Sequence, residues 1–218
     1  MLWWVGPNGF KEIEINNNVI QEGKALFDTI KGNWEQSFFK NANPIILELG
    51  CGKGEYTVGL AKVFPDKNFI GIDIKGDRIA VGSNQAIELG LNNVGFLRAK
   101  VHDLENFFNY EEVSEIWITF PDPHSLQSGI RRRMTNERFL KTYKALLNKQ
   151  GILHLKTDNK SFFDYSIETL RLFGVNDLAS TLDLYNSDLN VRHYGIKTRF
   201  EEKFTAKGFN INYLSCRF

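Results

Sequence analysis

Short apolar runs alternate with longer stretches of helical period from Pro44 onward. The runs are rich in isoleucine, leucine and valine and are bounded by glycine, proline or polar residues, a pattern typical of buried strands. They predict strands over Ile45–Leu49, Asn68–Asp73, Val94–Ala99, Glu115–Phe120 and Gly151–Thr157. Between the runs, apolar positions recur every three or four residues and predict helices over Tyr56–Phe64, Arg78–Leu89, Glu137–Asn148 and Ser161–Phe173.

The alternation of strand and helix predicts a doubly wound α/β fold with a mainly parallel sheet. The segment Phe209–Phe218 alternates apolar and polar residues and predicts an antiparallel edge strand, and Thr181–Tyr185 is a further strand candidate. Residues 1–43 lack this pattern, so we expect an N-terminal arm that leads into a short helix near Glu22–Thr29. Residues 44–218 then form the α/β domain.

The composition is that of an ordinary globular protein: the 218 residues are 42% hydrophobic and 24% charged, with a net charge of +1. These values argue against a disordered chain, a collagen and a disulfide-stabilised scaffold. Two cysteines without a paired Cys or His spacing give no reason to expect a metal site. Since no stretch approaches the roughly 20 apolar residues that cross a bilayer, we expect a cytoplasmic protein without a membrane partner.

Three glycines, Gly50, Gly52 and Gly54, follow the first predicted strand, where the chain turns into a helix. The dinucleotide fingerprint would need a glycine at the position of Glu55, and the GxxxxGK[ST] phosphate loop is absent. Glu48 lies two residues before the first glycine, where a carboxylate suits a cationic ligand and would repel a pyrophosphate. An ordinary glycine-rich βα turn is the alternative interpretation.

Two more acids follow the next two predicted strands, Asp73 at the end of the second and Asp103 after the third. Ligands of open α/β sheets bind outside the carboxyl ends of the strands, so we expect Glu48, Asp73 and Asp103 to converge. The arrangement resembles the S-adenosylmethionine-dependent methyltransferases, whose Rossmann-like fold has a seven-stranded sheet. In that fold the acid after the second strand resembles the ribose ligand, and Asp103 resembles a ligand on the adenine side.

The fourth predicted strand ends in the sequence Phe120-Pro121-Asp122-Pro123, here called the FPDP loop. Prolines on both sides of Asp122 stiffen the loop and restrict the residues that precede them. A rigid acid at the carboxyl end of a strand, beside the expected cofactor, marks the place where the methyl acceptor would enter. A well-capped turn without a catalytic role is the alternative.

A basic segment follows the FPDP loop. Residues 124–160 contain nine Lys or Arg and two acids, a net charge of +7, whereas the rest of the chain has a net charge of −6. Clustered positive charge in an otherwise acidic protein is typical of a surface that binds a phosphate backbone. We therefore expect a nucleic acid as the partner, with the run Arg131, Arg132 and Arg133 among its phosphate contacts.

The FPDP loop and its basic run are followed by His154-Leu-Lys-Thr-Asp-Asn159 and then by Thr198-Arg-Phe-Glu-Glu-Lys-Phe204. This order of motifs resembles the bacterial tRNA (guanine-N7-)-methyltransferase family, and the resemblance runs from about Pro44 to the C-terminus. It implies methyl transfer from S-adenosylmethionine to N7 of a guanine in the variable loop of tRNA (position 46), with S-adenosylhomocysteine as the product.

The resemblance also implies a set of site residues. Cofactor contacts are expected at the acids Glu48, Asp73, Asp103 and Asp122, together with the glycines Gly50, Gly52 and Gly54. Substrate contacts are expected at Asp158 and at Thr198, Arg199, Phe200 and Glu201. N7 of guanine carries a lone pair and no hydrogen, so no general base is required. We expect Asp122 to lie closest to the chemistry and Asp158 and Glu201 to accept hydrogen bonds from the guanine edge.

The chain departs from the family pattern just after the FPDP loop. His124 replaces the usual tryptophan, and Ser125, Leu126 and Gln127 replace expected lysines, one of which would contact the RNA from the position of Leu126. Two alternatives therefore stay open: a methyltransferase that acts on another RNA or on a small molecule, and a non-catalytic RNA-binding paralogue. The sequence is compatible with a monomer or a homodimer.

Overall fold

The computed structural model describes residues 13–218, in which eight strands form one sheet with the order β1-β4-β3-β2-β5-β6-β8-β7. The strands are β1 (Val19–Ile20), β2 (Ile45–Leu49), β3 (Asn68–Asp73), β4 (Val94–Arg98), β5 (Val113–Thr119), β6 (Leu147–Thr157), β7 (Asn176–Thr181) and β8 (Asn212–Arg217). The α-helices are α1 (Glu55–Val63), α2 (Gly76–Glu88), α3 (Glu137–Leu146), α4 (Lys160–Phe173) and α5 (Arg199–Thr205). Short 3-10 helices span Val101–Asn106, Gln127–Arg132 and Asp188–His193, and a π-helix spans Trp34–Phe39.

The predicted fold class is confirmed. Strands β1 to β6 pair in parallel, and β8 pairs antiparallel with both β6 and β7. The sheet has eight strands rather than the expected seven, because β1 of the N-terminal arm pairs with β4. The C-terminal strand is antiparallel as predicted, but it lies inside the sheet, and β7 forms the edge on that side. The predicted strand at Thr181–Tyr185 is displaced, because β7 ends at Thr181.

Helices cover both faces of the sheet. Successive residues of a strand point to opposite faces, so each central strand contributes to two apolar clusters. In β2, Leu47 belongs to the apolar cluster that includes Leu140 of α3, whereas Ile46 belongs to the cluster that includes Tyr56 of α1. Glu48 has the same parity as Ile46, which places its side chain on the α1 side of the sheet. The carboxyl ends of β3, β2 and β5 lie next to one another at the centre of this layered structure.

The predicted helix at Glu22–Thr29 is wrong. This segment forms successive β-turns, in which Lys24 N–H donates to the carbonyl of Gln21 and Phe27 N–H donates to the carbonyl of Lys24. Gly23 has a φ of 88°, which a right-handed helix does not accommodate.

The described part of the N-terminal arm is attached to the sheet rather than separate from it. Strand β1 pairs with β4, and the indole N–H of Trp34 donates to the carbonyl of Phe107 at 2.8 Å. Trp34 is fully buried and its ring stacks on that of Phe108. The first twelve residues of the arm lie outside the described part of the chain. None of the helices within residues 13–218 combines the length and apolar character that a membrane span requires.

Candidate active site

The glycine loop joins β2 to α1 and has left-handed backbone at all three glycines, with φ values of 71° at Gly50, 55° at Gly52 and 69° at Gly54. A side chain at Gly54 would come within 2.7 Å of the Phe96 ring, so packing requires glycine there. A Cβ at Gly52 would meet nothing within 4 Å. The main chain at Gly52 therefore faces open space that a ligand can approach.

Glu48 belongs to β2, two residues before this loop begins, and is buried. Its Oε2 accepts hydrogen bonds from the main-chain N–H of Thr57 at 2.8 Å and from the Thr57 hydroxyl, and its Oε1 accepts from the Thr119 hydroxyl at 2.6 Å. Burial raises the pKa of Glu48 to about 7, although the hydrogen bonds from the two threonines favour the charged form. The carboxyl group is thus poised between its two protonation states near neutral pH, and a nearby cation would favour the ionised one.

Asp73 connects the end of β3 to the same loop. Its Oδ2 accepts a hydrogen bond from the main-chain N–H of Gly52 at 2.9 Å, and its Oδ1 accepts one from Lys75 N–H at 2.9 Å. The side chain remains partly exposed. A carboxylate oxygen that accepts one hydrogen bond retains capacity for another, so Asp73 can hold the loop and still accept a bond from a ligand hydroxyl.

Asp103 lines a cavity of about 640 Å³ at the carboxyl ends of β3 and β4. Ile74 and the ring of Phe107 contribute apolar wall, and Phe27 and Asp28 enter from the turn segment at Glu22–Thr29. Such a volume is within the range of small-molecule and cofactor sites. No sequence pattern indicates Phe27 and Asp28 as cavity residues, since their place here depends on how the N-terminal segment packs.

The FPDP loop is held in an unusual backbone conformation. Phe120 and His124, which flank its two prolines, both have positive φ values, 49° and 43°. Few non-glycine residues adopt this region, and such conformations persist only where the surroundings enforce them. Asp122 is 73% exposed at its side chain, and its Oδ1 accepts a hydrogen bond from His124 N–H at 2.9 Å. The loop therefore presents Asp122 outward from the carboxyl end of β5.

Arg133 helps to hold the FPDP loop in this conformation. Its Nε donates to the carbonyl of Pro123 at 3.0 Å, its Nη2 donates to the carbonyl of His124 at 3.3 Å, and the guanidinium lies over the ring of Tyr165. The side chain is buried, so it anchors the loop from within the protein. Arg131 and Arg132, which share the predicted phosphate contact with it, are exposed.

Residues Thr198 to Glu201 begin α5 with a capping box. The Thr198 hydroxyl accepts from Glu201 N–H at 3.1 Å, and a Glu201 carboxylate oxygen accepts from Thr198 N–H at 3.3 Å. Phe200 is exposed and its ring centroid lies 5.2 Å from that of Phe120. Arg199 is bound to α1, since its Nε lies 3.2 Å from the carboxylate of Glu55.

Glu201 itself is fully buried. It forms an ion pair with the ammonium of Lys156 at 2.7 Å, and its Oε1 also accepts a hydrogen bond from the Tyr185 hydroxyl. A guanine hydrogen bond to Glu201 would therefore compete with bonds that exist within the protein. Asp158, the other predicted acceptor, is partly exposed just beyond the end of β6.

The structure thus joins Gly52 directly to Asp73, and Glu48 belongs to the strand that leads into the same loop. Asp103, which was expected to converge with Glu48 and Asp73, lines a cavity to which neither of them contributes. Sequence reasoning missed Thr57, Thr119 and Lys156, although a lysine inside the apolar run of β6 was a detectable signal. The segment after the arginine run is also close, because a Cβ at Gly50 would lie 3.2 Å from the Met134 methyl group. The glycine loop, the FPDP loop and the start of α5 together form the candidate active site.

Several known proteins have similar sequences. A family model with the description "Putative methyltransferase" matches residues 42–214. The tRNA (guanine-N(7)-)-methyltransferase of Cytophaga hutchinsonii is 45% identical over 211 residues, which cover 96% of this chain and 95% of the relative. The protein of the same name from Christiangramia forsetii is 46% identical over 210 residues and covers 94% of each chain. The chain belongs to the tRNA (guanine-N(7)-)-methyltransferase family.

This membership confirms the family resemblance, and the matched range of the family model contains the glycine loop, the FPDP loop and the Thr198–Glu201 segment. Among solved structures, the 16S rRNA methyltransferase KamB has a TM-score of 0.64 to this chain at 14% identity. That alignment covers 91% of this chain and 95% of the other. At this identity the similarity shows that the family's α/β fold is shared, and nothing about substrate.

Proposed function

We propose that the protein transfers a methyl group from S-adenosylmethionine to N7 of guanine 46 in the variable loop of tRNA. The observation that carries the proposal is the identity of 45% with a tRNA (guanine-N(7)-)-methyltransferase over nearly the full length of both chains. The arrangement of acids around the glycine loop supports it, because it suits a cationic, hydroxyl-bearing cofactor.

The residues present fit this cofactor. The buried carboxyl of Glu48 lies in the strand that leads into the glycine loop, and the main chain at Gly52 is open, so a cationic amino-acid group at the loop would find a counter-charge nearby. Asp73 retains acceptor capacity for ribose hydroxyls, and the 640 Å³ cavity beside Asp103 has room for an aromatic base. When bound, the cofactor supplies an electrophilic methyl group on a sulfonium.

The chain's own contribution to catalysis is positioning and electrostatics. Because N7 has a lone pair and no proton, the protein needs to align the base with the methyl group and to stabilise the positive charge that develops on the purine. Asp122 suits the second task, since it is an exposed carboxylate on a loop held by Arg133 and by left-handed backbone at Phe120 and His124. Asp158 provides a further acceptor at the adjacent strand end.

The basic segment suits the RNA. Arg131 and Arg132 are exposed beside the FPDP loop, and Arg138, Lys141 and Lys144 are exposed along α3. Binding of these cations to tRNA phosphates would release counterions and make the affinity dependent on salt. Arg133 acts differently in this proposal, as the residue that shapes the loop.

The test is transfer of a tritiated methyl group to unmodified tRNA, followed by borohydride and aniline cleavage, which breaks the chain at N7-methylguanine. We expect label and cleavage at guanine 46, and an acceptor in which adenine replaces this guanine serves as the control. Label at another position or on another RNA would favour a different substrate. Cofactor binding without any transfer would instead indicate a non-catalytic RNA-binding paralogue.

A further inference from the structure

The ion pair between Lys156 and Glu201 is completely buried, with both side chains at 0% exposure. The ammonium lies 2.7 Å from Oε1 and 2.9 Å from Oε2 of the carboxylate. The Tyr185 hydroxyl donates a third hydrogen bond to Oε1 at 2.5 Å. Residues from β6, from the loop after β7 and from α5 therefore meet at one carboxylate.

Such a pair is a poor way to gain stability. Taking two charges out of water costs about as much as their attraction returns, so apolar residues of similar volume would stabilise the fold as well or better. Burial lowers the pKa of Lys156 against the opposing effect of Glu201, and burial raises the pKa of Tyr185, which stays a hydrogen-bond donor. The arrangement is better suited to fixing one geometry, which is the best-supported use of buried ionic groups.

The geometry it fixes is that of two substrate-facing segments. The Lys156 carbonyl accepts a hydrogen bond from Phe120 N–H at 2.9 Å, so the same residue that holds α5 also holds the first residue of the FPDP loop. A second contact joins the same two segments, because the Phe200 ring of α5 lies against the Phe120 ring of the FPDP loop. Lys156, Glu201, Phe200 and Phe120 thus form a closed ring of contacts between α5 and the FPDP loop.

We propose that Lys156 is a positioning residue that, through Glu201, holds the Thr198–Glu201 segment against the FPDP loop in the arrangement the acceptor base requires. This inference rests on the proposed function. The capping box alone can start α5, but it connects only residues of that helix with one another. Lys156 provides the connection to the strand that carries Asp158 and to the loop that carries Asp122.

The experiment compares Lys156→Met, Lys156→Arg and Tyr185→Phe with wild type. Lys62→Met is the matched control, because Lys62 is exposed on α1 and outside the basic segment. The measurements are the cofactor Kd without RNA, kcat and the tRNA KM from pH 6 to 9, and the Tm. The charged and titratable groups that influence the pair are Glu48, Tyr56, Tyr185, His193, Lys197 and Glu202.

In Lys156→Met we expect kcat to fall by roughly tenfold or more at pH 6.5, with a cofactor Kd within about twofold of wild type. Glu201 would be left buried without its counter-charge, which is strongly unfavourable, so the segment would move away from the FPDP loop. Lys156→Arg should retain more activity than Lys156→Met, and Tyr185→Phe should lie between wild type and Lys156→Met.

Provided that wild type is active, the inference would be overturned if kcat of Lys156→Met equals that of Lys62→Met. It would also be overturned if the loss of kcat follows the fall in Tm at every pH, or if cofactor binding and tRNA binding are reduced equally. Each of these results would mean that the ion pair only stabilises the fold. Should Lys156→Met fail to fold, Lys156→Arg and Tyr185→Phe decide, and wild-type kinetics in both would reject positioning. Wild-type protein without methyl transfer to guanine N7 would overturn the proposed function first, and this inference with it.

Discussion

Gly52 and Asp73 are joined by a hydrogen bond of 2.9 Å, from the glycine main-chain N–H to Oδ2 of the aspartate. The acid that ends β3 therefore holds the middle of the loop that follows β2. The two residues are 21 positions apart and become neighbours because β2 and β3 pair in parallel, with Leu49 opposite Ile72. One carboxylate can thus shape the glycine loop and remain available to a ligand.

Asp73→Ala should weaken cofactor binding by roughly 10- to 100-fold, since hydrogen bonds to a charged acceptor contribute about 1.5–3 kcal/mol. The variant removes the acceptor for Gly52 N–H and for Lys75 N–H. Isothermal titration calorimetry with S-adenosylmethionine measures the change. Asp66→Ala, at an exposed turn before β3, is the control and should bind normally. An Asp73→Ala affinity equal to that of the control would contradict a role for Asp73.

The raised pKa of Glu48 leads us to expect an unusual pH dependence of the free energy of unfolding. Its pKa is raised to about 7 from an ordinary value of 4.5, so the native state holds a proton that the unfolded chain has released. The stabilisation is fully present below pH 4.5 and disappears as the pH rises through 7. Glu48→Gln lacks this titration. The free energy of unfolding of wild type relative to Glu48→Gln should therefore fall by about 3 kcal/mol between pH 4.5 and 8.

Urea unfolding at several pH values measures this difference, and the comparison with Glu48→Gln removes the contribution of the other acids. A difference that stays constant with pH would show that folding leaves the pKa of Glu48 unchanged. Saturating S-adenosylmethionine should reduce the pH dependence of wild type, because a cation above the loop favours the ionised carboxylate. Glu48→Gln should not show this reduction.

The parts of the molecule that local pattern determines were predictable. Strands β2 and β3 have the predicted bounds, since each is a buried apolar run between residues that end strands. The rule that parallel strands share a carboxyl edge predicted that Glu48, Asp73 and Asp103 would lie at the same edge of the sheet. Asp73 does contact the glycine loop, whereas Asp103 lines a cavity to which neither Glu48 nor Asp73 contributes. The turns at Glu22–Thr29 were not predictable, because this segment has no clear hydrophobic pattern, and the helix expected there is prevented by the left-handed backbone of Gly23.

Pairings between distant parts of the chain were not predictable either. Lys156 and Glu201 are 45 positions apart, and only the packing of α5 against β6 reveals that they share a buried site. The arginine run shows the same limit. The sequence gives the same prediction for Arg131, Arg132 and Arg133. In the structure the first two are exposed, whereas Arg133 is buried and donates hydrogen bonds to carbonyl groups of the FPDP loop.

The exposed arginines predict a change in salt dependence. Replacement of Arg131 and Arg132 by alanine should weaken tRNA binding and reduce the slope of log K against log salt by about 0.7–0.9 for each phosphate that is no longer bound. Fluorescence anisotropy with labelled tRNA between 50 and 200 mM salt, roughly the range where such slopes are resolved, measures it. Lys62→Ala should leave the slope unchanged. An unchanged slope in the double variant would place these arginines outside the RNA interface.

Arg133→Lys should have the opposite signature. A lysine keeps the positive charge but cannot reach both loop carbonyls with the planar geometry of a guanidinium. We expect kcat to fall because the FPDP loop is no longer anchored, while the salt slope for tRNA binding stays that of wild type. Single-turnover kinetics and the anisotropy titration separate the two effects. A reduced slope with normal turnover would instead mean that Arg133 contacts RNA phosphates.

Asp122→Asn tests the charge at the proposed centre of the chemistry. Asparagine keeps an acceptor oxygen for His124 N–H, so the turn is preserved, but it cannot stabilise positive charge on the purine as a carboxylate does. We expect kcat to fall by an order of magnitude or more, which corresponds to about 1.4 kcal/mol or more of transition-state stabilisation. Cofactor affinity and Tm report whether the loop is intact. Asp122→Ala removes both the charge and the hydrogen bond that holds the turn. If Asp122→Asn turns over as fast as wild type while Asp122→Ala is impaired, the role of Asp122 is purely structural.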